Sequence, residues 1–303
     1  MSMAVKPTAA PITAMEGQSA KQGASMTLLA LRSLARKPIP MLGLAVLVIT
    51  ILLVILAPVM TPYDPAKMSP TEALQGPSAR HLLGTDGFGR DQLTRILYGG
   101  RLSLQVGLIS VGIGLWAGLV VGSVAGYFGG WADEAIGRLI DIMMAFPGIL
   151  LAMTIVAVLG ISIPNLMIAV GVSSIPAFTR LIRGGVLSAR ENDYVLAARA
   201  IGCSDLAIIR RHLIPNIMAP ILVYATLRIA TAILASASLN FLGMGAKPPT
   251  PEWGLMLSES RSFIRTAWWL ATFPGLAIMA TVISINVLGD GLRDAFDPWM
   301  KGK

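Results

Sequence analysis

The sequence predicts an all-α, polytopic membrane protein with six transmembrane helices. Only 13% of its 303 residues are charged and 54% are hydrophobic, whereas a soluble domain carries about 25% charged residues. The mean hydropathy is +0.70. Because about 20 apolar residues in an α-helix cross the hydrocarbon core of a bilayer, the recurring apolar runs set the number of crossings.

The six predicted spans follow the charge-free runs of the chain. The run 142–179 contains "GISIPN" at 160–165, and its Gly, Pro and Asn are typical of a turn. That run is therefore divided into two spans, and Pro147 is expected to kink the first of them. The predicted spans are residues 41–60, 102–132, 136–160, 164–182, 216–241 and 266–289.

The distribution of basic residues predicts which side each connecting segment faces. With both termini in the cytoplasm, the inner segments hold fifteen Lys and Arg residues and the outer segments hold eight, as the positive-inside rule requires. The predicted parts are a cytoplasmic tail at 1–40, the first span, an outer loop at 61–101, a five-helix core at 102–290 and a cytoplasmic tail at 291–303. The core includes an inner loop at 183–216.

The composition also argues against several other classes of protein. A net charge of +8 is spread over the loops between apolar runs, which indicates membrane topology rather than nucleic-acid binding. One cysteine, Cys203, allows no internal disulfide, and two distant histidines, His81 and His212, do not favour a metal site. No phosphate-binding loop or hydrolase motif occurs, so neither ATP hydrolysis by this chain nor a bound cofactor is expected.

The inner loop contains "DYVLAARAIGCSDLAIIRRHLIPN" at 193–216. Asn192 or Asp193 is expected to cap a first short helix, and Gly202 suits the left-handed residue that ends it. Ser204 is expected to cap a second short helix, with Asp205 at its positive end. Pro215 fits the first turn of the next span, and the small residues Ala197, Ala198 and Gly202 predict a bare surface.

Physical reasoning leaves two interpretations of this loop open. Helices of about eight residues are marginal alone in water and need a surface to pack on. The loop could lie on its own membrane helices, or it could be a docking ridge for a soluble subunit.

The loop resembles the one shared by permease subunits of ATP-binding-cassette importers. Their pattern is Glu-Ala-Ala, three residues, Gly, nine residues, Ile, one residue and Leu-Pro. This chain keeps the spacing, with Leu196 for Glu, His212 for Ile and Ile214 for Leu. "HLLGTDGFGRDQLTRILYGGRLSL" at 81–104, "FLGMGAKPPTPEWG" at 241–254 and "GDGLRDAFDP" at 289–298 resemble the second permease of dipeptide, oligopeptide and nickel importers.

The resemblance implies a type I importer permease bundle in the bacterial inner membrane. It implies a second, related permease, two ATPase subunits that bind ATP and Mg²⁺, and an extracytoplasmic substrate-binding protein. It also implies import of dipeptides, oligopeptides or glutathione-like peptides. The outer segment "GTDGFGRD" at 84–91 is expected to form tight turns and to contact the partner permease or the binding protein. The residues that it implies in coupling to the ATPase are Ala197, Ala198, Gly202, Ser204, Asp205 and Pro215.

A glycine stripe and a pair of charges are predicted in the spans. Glycines recur every four residues on one face of the second span, where another helix can approach closely. Either static packing or a sliding seam explains this stripe, which consists of Gly114, Gly118, Gly122 and Gly126. Arg138 and Asp141, three residues apart, are expected to pair.

Arg228 lies near the middle of the fifth span, where a charge usually faces protein or water. It could line a pathway and meet a substrate carboxylate, or it could pair within the protein.

Two other classes of protein are alternatives to the permease. An ion-gradient-driven secondary transporter would need more mid-span ionisable residues than Arg228, and an intramembrane protease would need a nucleophile and a base.

Overall fold

The computed structural model describes residue 35 and residues 37–296. This part of the chain contains α-helices and no β-strand apart from an isolated bridge between Thr85 and Asp91, so the predicted all-α class is confirmed. The predicted tails at 1–40 and 291–303 lie largely outside the described residues.

The α-helices of the described residues are numbered in chain order. They are α1 (Pro38–Ile55), α2 (Ala57–Met60), α3 (Gln92–Phe128), α4 (Gly130–Met144), α5 (Gly148–Leu159), α6 (Ile163–Arg190), α7 (Asp193–Ala200), α8 (Asp205–Ile208), α9 (Ile214–Phe241), α10 (Trp253–Ser260) and α11 (Trp269–Phe296).

Five helical stretches are long and apolar enough to cross a membrane, and a sixth crossing exists if the bent pair α4 and α5 is one span. The two helices of that pair meet at 91°. Pro147 is the N-cap residue of α5, where its missing N–H ends the hydrogen bonding of the preceding turn. The kink predicted at Pro147 is therefore a full break in the span.

The first span is shorter than predicted because of Pro58. Helix α1 ends at Ile55, and α2 follows after a break at Leu56. A proline cannot donate to the carbonyl four residues before it, which here is that of Val54. Arg101 on α3 donates instead, from Nε to Val54 O at 3.1 Å and from Nη2 to Ile55 O at 3.0 Å.

Helix α3 begins ten residues before the charge-free run that predicted it, and it extends for 37 residues. The Asp91 carboxylate caps its start by accepting from Thr94 N at 2.8 Å. Arg95 and Arg101 lie before the charge-free run but within the helix. The helix includes them because both guanidinium groups find partners within the protein. At about 1.5 Å per residue the helix is about 55 Å long, so it extends beyond a hydrocarbon core of about 30 Å.

The core of the bundle lies between α3, α6 and α9. Helix α3 makes its most extensive contact with α6, and α9 contacts both of them as well as α11, which in turn packs on α1. The main apolar cluster includes Val106, Phe178, Ile182 and Ile221, all buried. A second cluster between α9, α10 and α11 is centred on the buried Trp253. This arrangement leaves the segment between α6 and α9 at one end of the bundle.

Candidate functional site

The segment at that end is named the ledge, residues 193–213. It consists of α7, a turn, α8 and a π-helical stretch, Ile209–Leu213, that continues directly into α9. The second helix begins after Ser204 as predicted, but it does not end before the next span as expected. Pro215 lies in the first turn of α9 as predicted. A proline ring clashes with the carbonyl four residues earlier, and the wide π turn there accommodates it without ending the helix.

Gly202 forms the turn between the two helices of the ledge. Its φ is 81°, the left-handed conformation predicted for it. Gly202 N donates to Arg199 O, and Cys203 N donates to Ala198 O, each at 3.0 Å, which satisfies the last carbonyls of α7. Among the described residues, no heavy atom lies within 4 Å of the position that a Cβ at Gly202 would take, so the turn faces open space in this part of the chain.

The ledge has one buried face and one exposed face. Val195, Ile208 and Leu213 belong to the main core cluster and are fully buried. Ala198 also belongs to that cluster and is only 4% exposed, so the prediction that it lies on a bare surface is wrong. Its small side chain instead lets α7 approach the bundle closely.

The exposed face is more apolar than the small residues predicted. Ile201 is 79% exposed, Leu206 63% and Leu196 53%, and Ala197, Gly202 and Pro215 are exposed beside them. Large exposed apolar side chains before and after an open turn indicate a surface for a partner. Leu196, which replaces the Glu of the family pattern, contributes to this face.

A polar cavity of about 410 Å³ adjoins this face, lined by Ser204, Leu206, Ala207, Arg210 and Arg211. The backbone of Ser204 occupies the N-cap position of α8, but its side chain makes no capping hydrogen bond within the described residues. The two arginines give this edge of the ledge a positive charge, which favours an acidic surface on a partner.

Tyr127, at the end of α3, contacts both helices of the ledge. Its hydroxyl donates to Asp205 Oδ1 at 2.6 Å, and the Arg199 guanidinium lies 5.2 Å from the centre of its ring. Asp205 was predicted to stabilise the positive end of α8, and it does begin that helix. The contact with Tyr127 was not predicted, because 78 residues separate the two side chains.

The glycine stripe of α3 faces α6. A Cβ at Gly118 would lie 2.5 Å from Phe178 Cβ, and one at Gly122 would lie 2.8 Å from Thr179 O. Gly114 and Gly126 meet Ser174 and Val186 in the same way, each at 2.9 Å. Such distances leave no room for a side chain, so the two helix backbones approach each other along the full stripe.

Arg228 lies midway along α9 and is partly buried. Its Nη2 donates to Ser174 Oγ on α6 at 3.1 Å. Its Nε is buried and has no hydrogen-bond partner among the described residues. The guanidinium is thus held beside the α3–α6 pair with part of its donor capacity unused.

Ion pairs on α4 differ from the predicted one. Arg138 pairs with Glu134 at 2.6 Å, and Asp141 pairs with Arg180 of α6 at 2.5 Å. The expected pair of Arg138 and Asp141 is therefore wrong. One helical turn favours a partner four residues away as much as one three away, and a neighbouring helix supplied the partner for Asp141.

At the opposite end of the bundle, the segment 81–104 is held within this chain by a buried ionic cluster. Arg90 and Arg95 donate from Nη2 to Glu259 Oε2 at 3.0 and 2.9 Å, and Arg90 Nε lies 2.5 Å from Asp86 Oδ2. Both arginines are at most 1% exposed. These side chains therefore fix α10 to the start of α3. The expected contact of this outer segment with a partner stays a prediction.

Glu252 is a further buried carboxylate at this end. It caps α10 by accepting from Leu255 N at 2.8 Å, and Ser103 Oγ donates to it at 2.9 Å. Burial raises the pKa of Glu252 above its ordinary value. Sequence reasoning missed this group, although an acidic residue directly before an apolar stretch is a signal for a helix N-terminus.

Comparison with known proteins agrees with this architecture. Residues 118–302 match the family described as binding-protein-dependent transport system inner membrane component, and residues 25–77 match the N-terminal transmembrane domain of oligopeptide transport permease C. The dipeptide transport system permease protein DppC of Alkalihalophilus pseudofirmus is 50% identical over 272 residues, 90% of each chain. The glutathione transport system permease protein GsiD of Pectobacterium atrosepticum is 47% identical over 243 residues, 80% of this chain and 81% of that protein.

Solved structures show the same fold. The MetNI methionine ABC transporter in an inward-facing conformation matches with a TM-score of 0.55 and 19% sequence identity, over 66% of this chain and 96% of the matched chain. The likeness shows that the two chains share a fold.

The fold and the relatives define a multi-pass membrane subunit of an ABC importer. The chain belongs to the family of binding-protein-dependent transport system inner membrane components. It is a transport subunit and not an enzyme, and membership of this family implies separate ATPase and substrate-binding subunits. The alternatives of a secondary transporter and an intramembrane protease are therefore set aside.

Proposed function

We propose that this chain imports peptides into the cytoplasm and is driven by ATP hydrolysis in separate subunits that dock on the ledge. Relatives that share 46–50% of their residues with it are named as dipeptide, di/tripeptide and glutathione permeases. These names support dipeptides, tripeptides or similar short peptides as the substrate class.

The observation that carries the docking proposal is the exposed face of the ledge. Leu196, Ile201 and Leu206 expose apolar surface around Gly202, which has open space in front of it. The opposite face of the same segment is fully packed into the bundle. A segment anchored on one side and apolar on the other is suited to receive a partner and to pass its movement to the helices.

The proposal includes the arrangement of the whole importer. Both termini and the ledge face the cytoplasm of a bacterium, as the distribution of Lys and Arg supports. The chain pairs with a second, homologous permease. Two ATPase subunits bind ATP and Mg²⁺ within themselves, and one of them docks on the ledge of this chain. An extracytoplasmic binding protein delivers the peptide from the other side.

Cys203 provides a direct test of docking, because it is the single cysteine of the chain and lies next to Gly202 in the ledge. In the assembled complex, a short bifunctional thiol reagent is expected to cross-link Cys203 to an ATPase subunit that carries an engineered cysteine. The Cys203→Ser variant is the control and should give no cross-linked product. If Cys203 reacts only with a membrane-impermeant reagent added outside intact cells, the docking proposal is wrong.

We also propose that Arg228 lines the pathway and meets the carboxylate of a passing peptide. Its partly unused guanidinium at mid-membrane supports this role. Arg228→Ala is expected to lower the rate of import roughly tenfold for peptides with a free carboxylate, since a charge-assisted hydrogen bond is lost.

The comparison that separates this role from simple packing uses two substrates. Transport of a peptide with an amidated C-terminus, measured as the ratio of variant to unaltered complex, should be less affected than transport of the free acid. Arg228→Lys should retain part of the activity because it keeps the charge. Equal losses for acid and amide would exclude recognition of the carboxylate.

A further inference from the structure

The covalent chain attaches the ledge to two membrane helices only. Its first residue follows α6 after Glu191 and Asn192, and its last residue precedes α9. Helix α3 ends at Phe128, far away in sequence, yet it carries the glycine stripe and packs on α6 along its length. A movement of the ledge reaches α3 only through contacts between side chains and backbone.

Tyr127 makes that contact on both sides of the turn at Gly202. Its hydroxyl donates to Asp205, the first residue of α8, at 2.6 Å. Its ring lies under Arg199, in the last turn of α7. Tyr127 is 5% exposed, whereas Asp205 and Arg199 are exposed. The hydrogen bond to Asp205 is therefore partly buried, and a hydrogen bond to a charged carboxylate is stronger than one between neutral groups.

A second set of contacts joins α3 and α6 at the same end. Arg190, the last residue of α6, donates from Nη1 to Gly126 O at 3.0 Å and to Tyr127 O at 3.4 Å. These carbonyls belong to the final turn of α3, which has no further N–H groups of its own helix to accept from. Hydrogen bonds thus join the ends of α3 and α6. The ledge is joined to α6 by the chain itself and to α3 by the hydrogen bond between Tyr127 and Asp205.

We infer that Tyr127 is a positioning residue of the transport cycle, which joins the ledge to α3 so that α3, α6 and the ledge move as one body. The inference rests on the proposed docking of an ATPase at the ledge. It assigns the Tyr127 hydroxyl and the Asp205 carboxylate to the transmission of movement, and not to the docking surface itself. Without that hydrogen bond, the ledge still docks but α3 follows it less closely.

Tyr127→Phe tests this role because it removes the hydroxyl and retains the ring, its burial and its contact with Arg199. In the complete complex reconstituted in vesicles, the number of peptides imported per ATP hydrolysed is expected to fall roughly tenfold, the effect of losing a charge-assisted hydrogen bond. The unfolding midpoint should fall no further than in a variant that loses one hydroxyl hydrogen bond elsewhere, and the cross-link from Cys203 to the ATPase should stay unchanged. Tyr63→Phe is the matched control, since it also loses one hydroxyl hydrogen bond, to Arg80 O, outside the ledge.

A double variant tests whether the two groups act together. Tyr127→Phe combined with Asp205→Ala should lose no more coupling than Asp205→Ala alone, because one link is removed in either case. Asp205→Asn, which keeps an oxygen acceptor for the hydroxyl, should retain more coupling than Asp205→Ala.

The outcomes separate this inference from the docking proposal. A normal cross-link in Tyr127→Phe with an unchanged ratio of import to hydrolysis would overturn the inference and leave docking intact. Loss of the cross-link in Tyr127→Phe would also overturn it, since the hydroxyl would then shape the docking surface. Absence of the cross-link in the unaltered complex would overturn the docking proposal, and the inference with it.

Discussion

Gly202→Trp is expected to reduce peptide import to background while the protein still inserts in the membrane. The indole would occupy the open space in front of the turn, where no heavy atom of residues 37–296 lies within 4 Å of the Cβ position. It would separate Leu196, Ile201 and Leu206 from any surface that they contact. Import and the stimulation of ATP hydrolysis by the loaded binding protein should fall together, measured in vesicles that contain the complete complex.

Two control variants separate the effect of bulk from the effect of backbone strain. Gly202→Ala retains an open surface but places a Cβ on a residue with φ of 81°, which costs about 1–2 kcal/mol. Gly243→Trp introduces the same side chain at another left-handed glycine with open space around it, φ 77°, after the end of α9 away from the ledge. Both should import substantially more than Gly202→Trp, and equal losses in all three would contradict a docking role for this position.

The elements that hydropathy dictates were predictable, and the contacts between them were not. Charge-free runs located the spans, but they missed the first turns of α3, because Arg95 is neutralised by Glu259, 164 residues away. A charged residue lowers hydropathy whether or not the fold supplies a partner. The same limit applies to Tyr127 and Asp205, whose contact depends on where α3 ends relative to the ledge.

Local conformation in the ledge was predictable where one residue type decides it. The positive φ of Gly202 follows from a glycine at the end of a short helical pattern. The orientation of α7 does not follow from residue size, since Ala197 is exposed whereas Ala198 is buried. Small residues suit both a bare surface and a close contact, and only the packing of α7 on the bundle decides between them.

The glycine stripe leads to the second large expected effect. Gly118→Leu is expected to lower the free energy of unfolding by more than about 3 kcal/mol, at the upper end of the cost of overpacking. Its Cβ would lie 2.5 Å from Phe178 Cβ and 3.1 Å from backbone atoms of Phe178 and Thr179, which cannot move aside without separating α3 from α6. The measurement is the unfolding midpoint of the detergent-solubilised complex, together with the yield of monodisperse protein.

Gly112→Leu is the matched control on the same helix, because in the part of the chain that the structure describes no heavy atom lies within 4 Å of its Cβ position. It should leave the midpoint unchanged or raise it slightly, since leucine favours a helix over glycine by up to about 1 kcal/mol. A similar loss in both variants would show that the stripe is not the contact that stabilises the bundle.

The milder variant Gly118→Ala distinguishes static packing from a sliding seam. Arg190 and Tyr127 fasten the ends of α3 and α6 at the ledge, and the stripe brings their backbones together along the bundle, so the two helices should not slide past each other during transport. The folded fraction of Gly118→Ala should then import peptide at the normal rate, although less of it folds. If import per folded complex falls while the unfolding midpoint stays high, the helices do slide, and α3 and α6 cannot move as one body with the ledge.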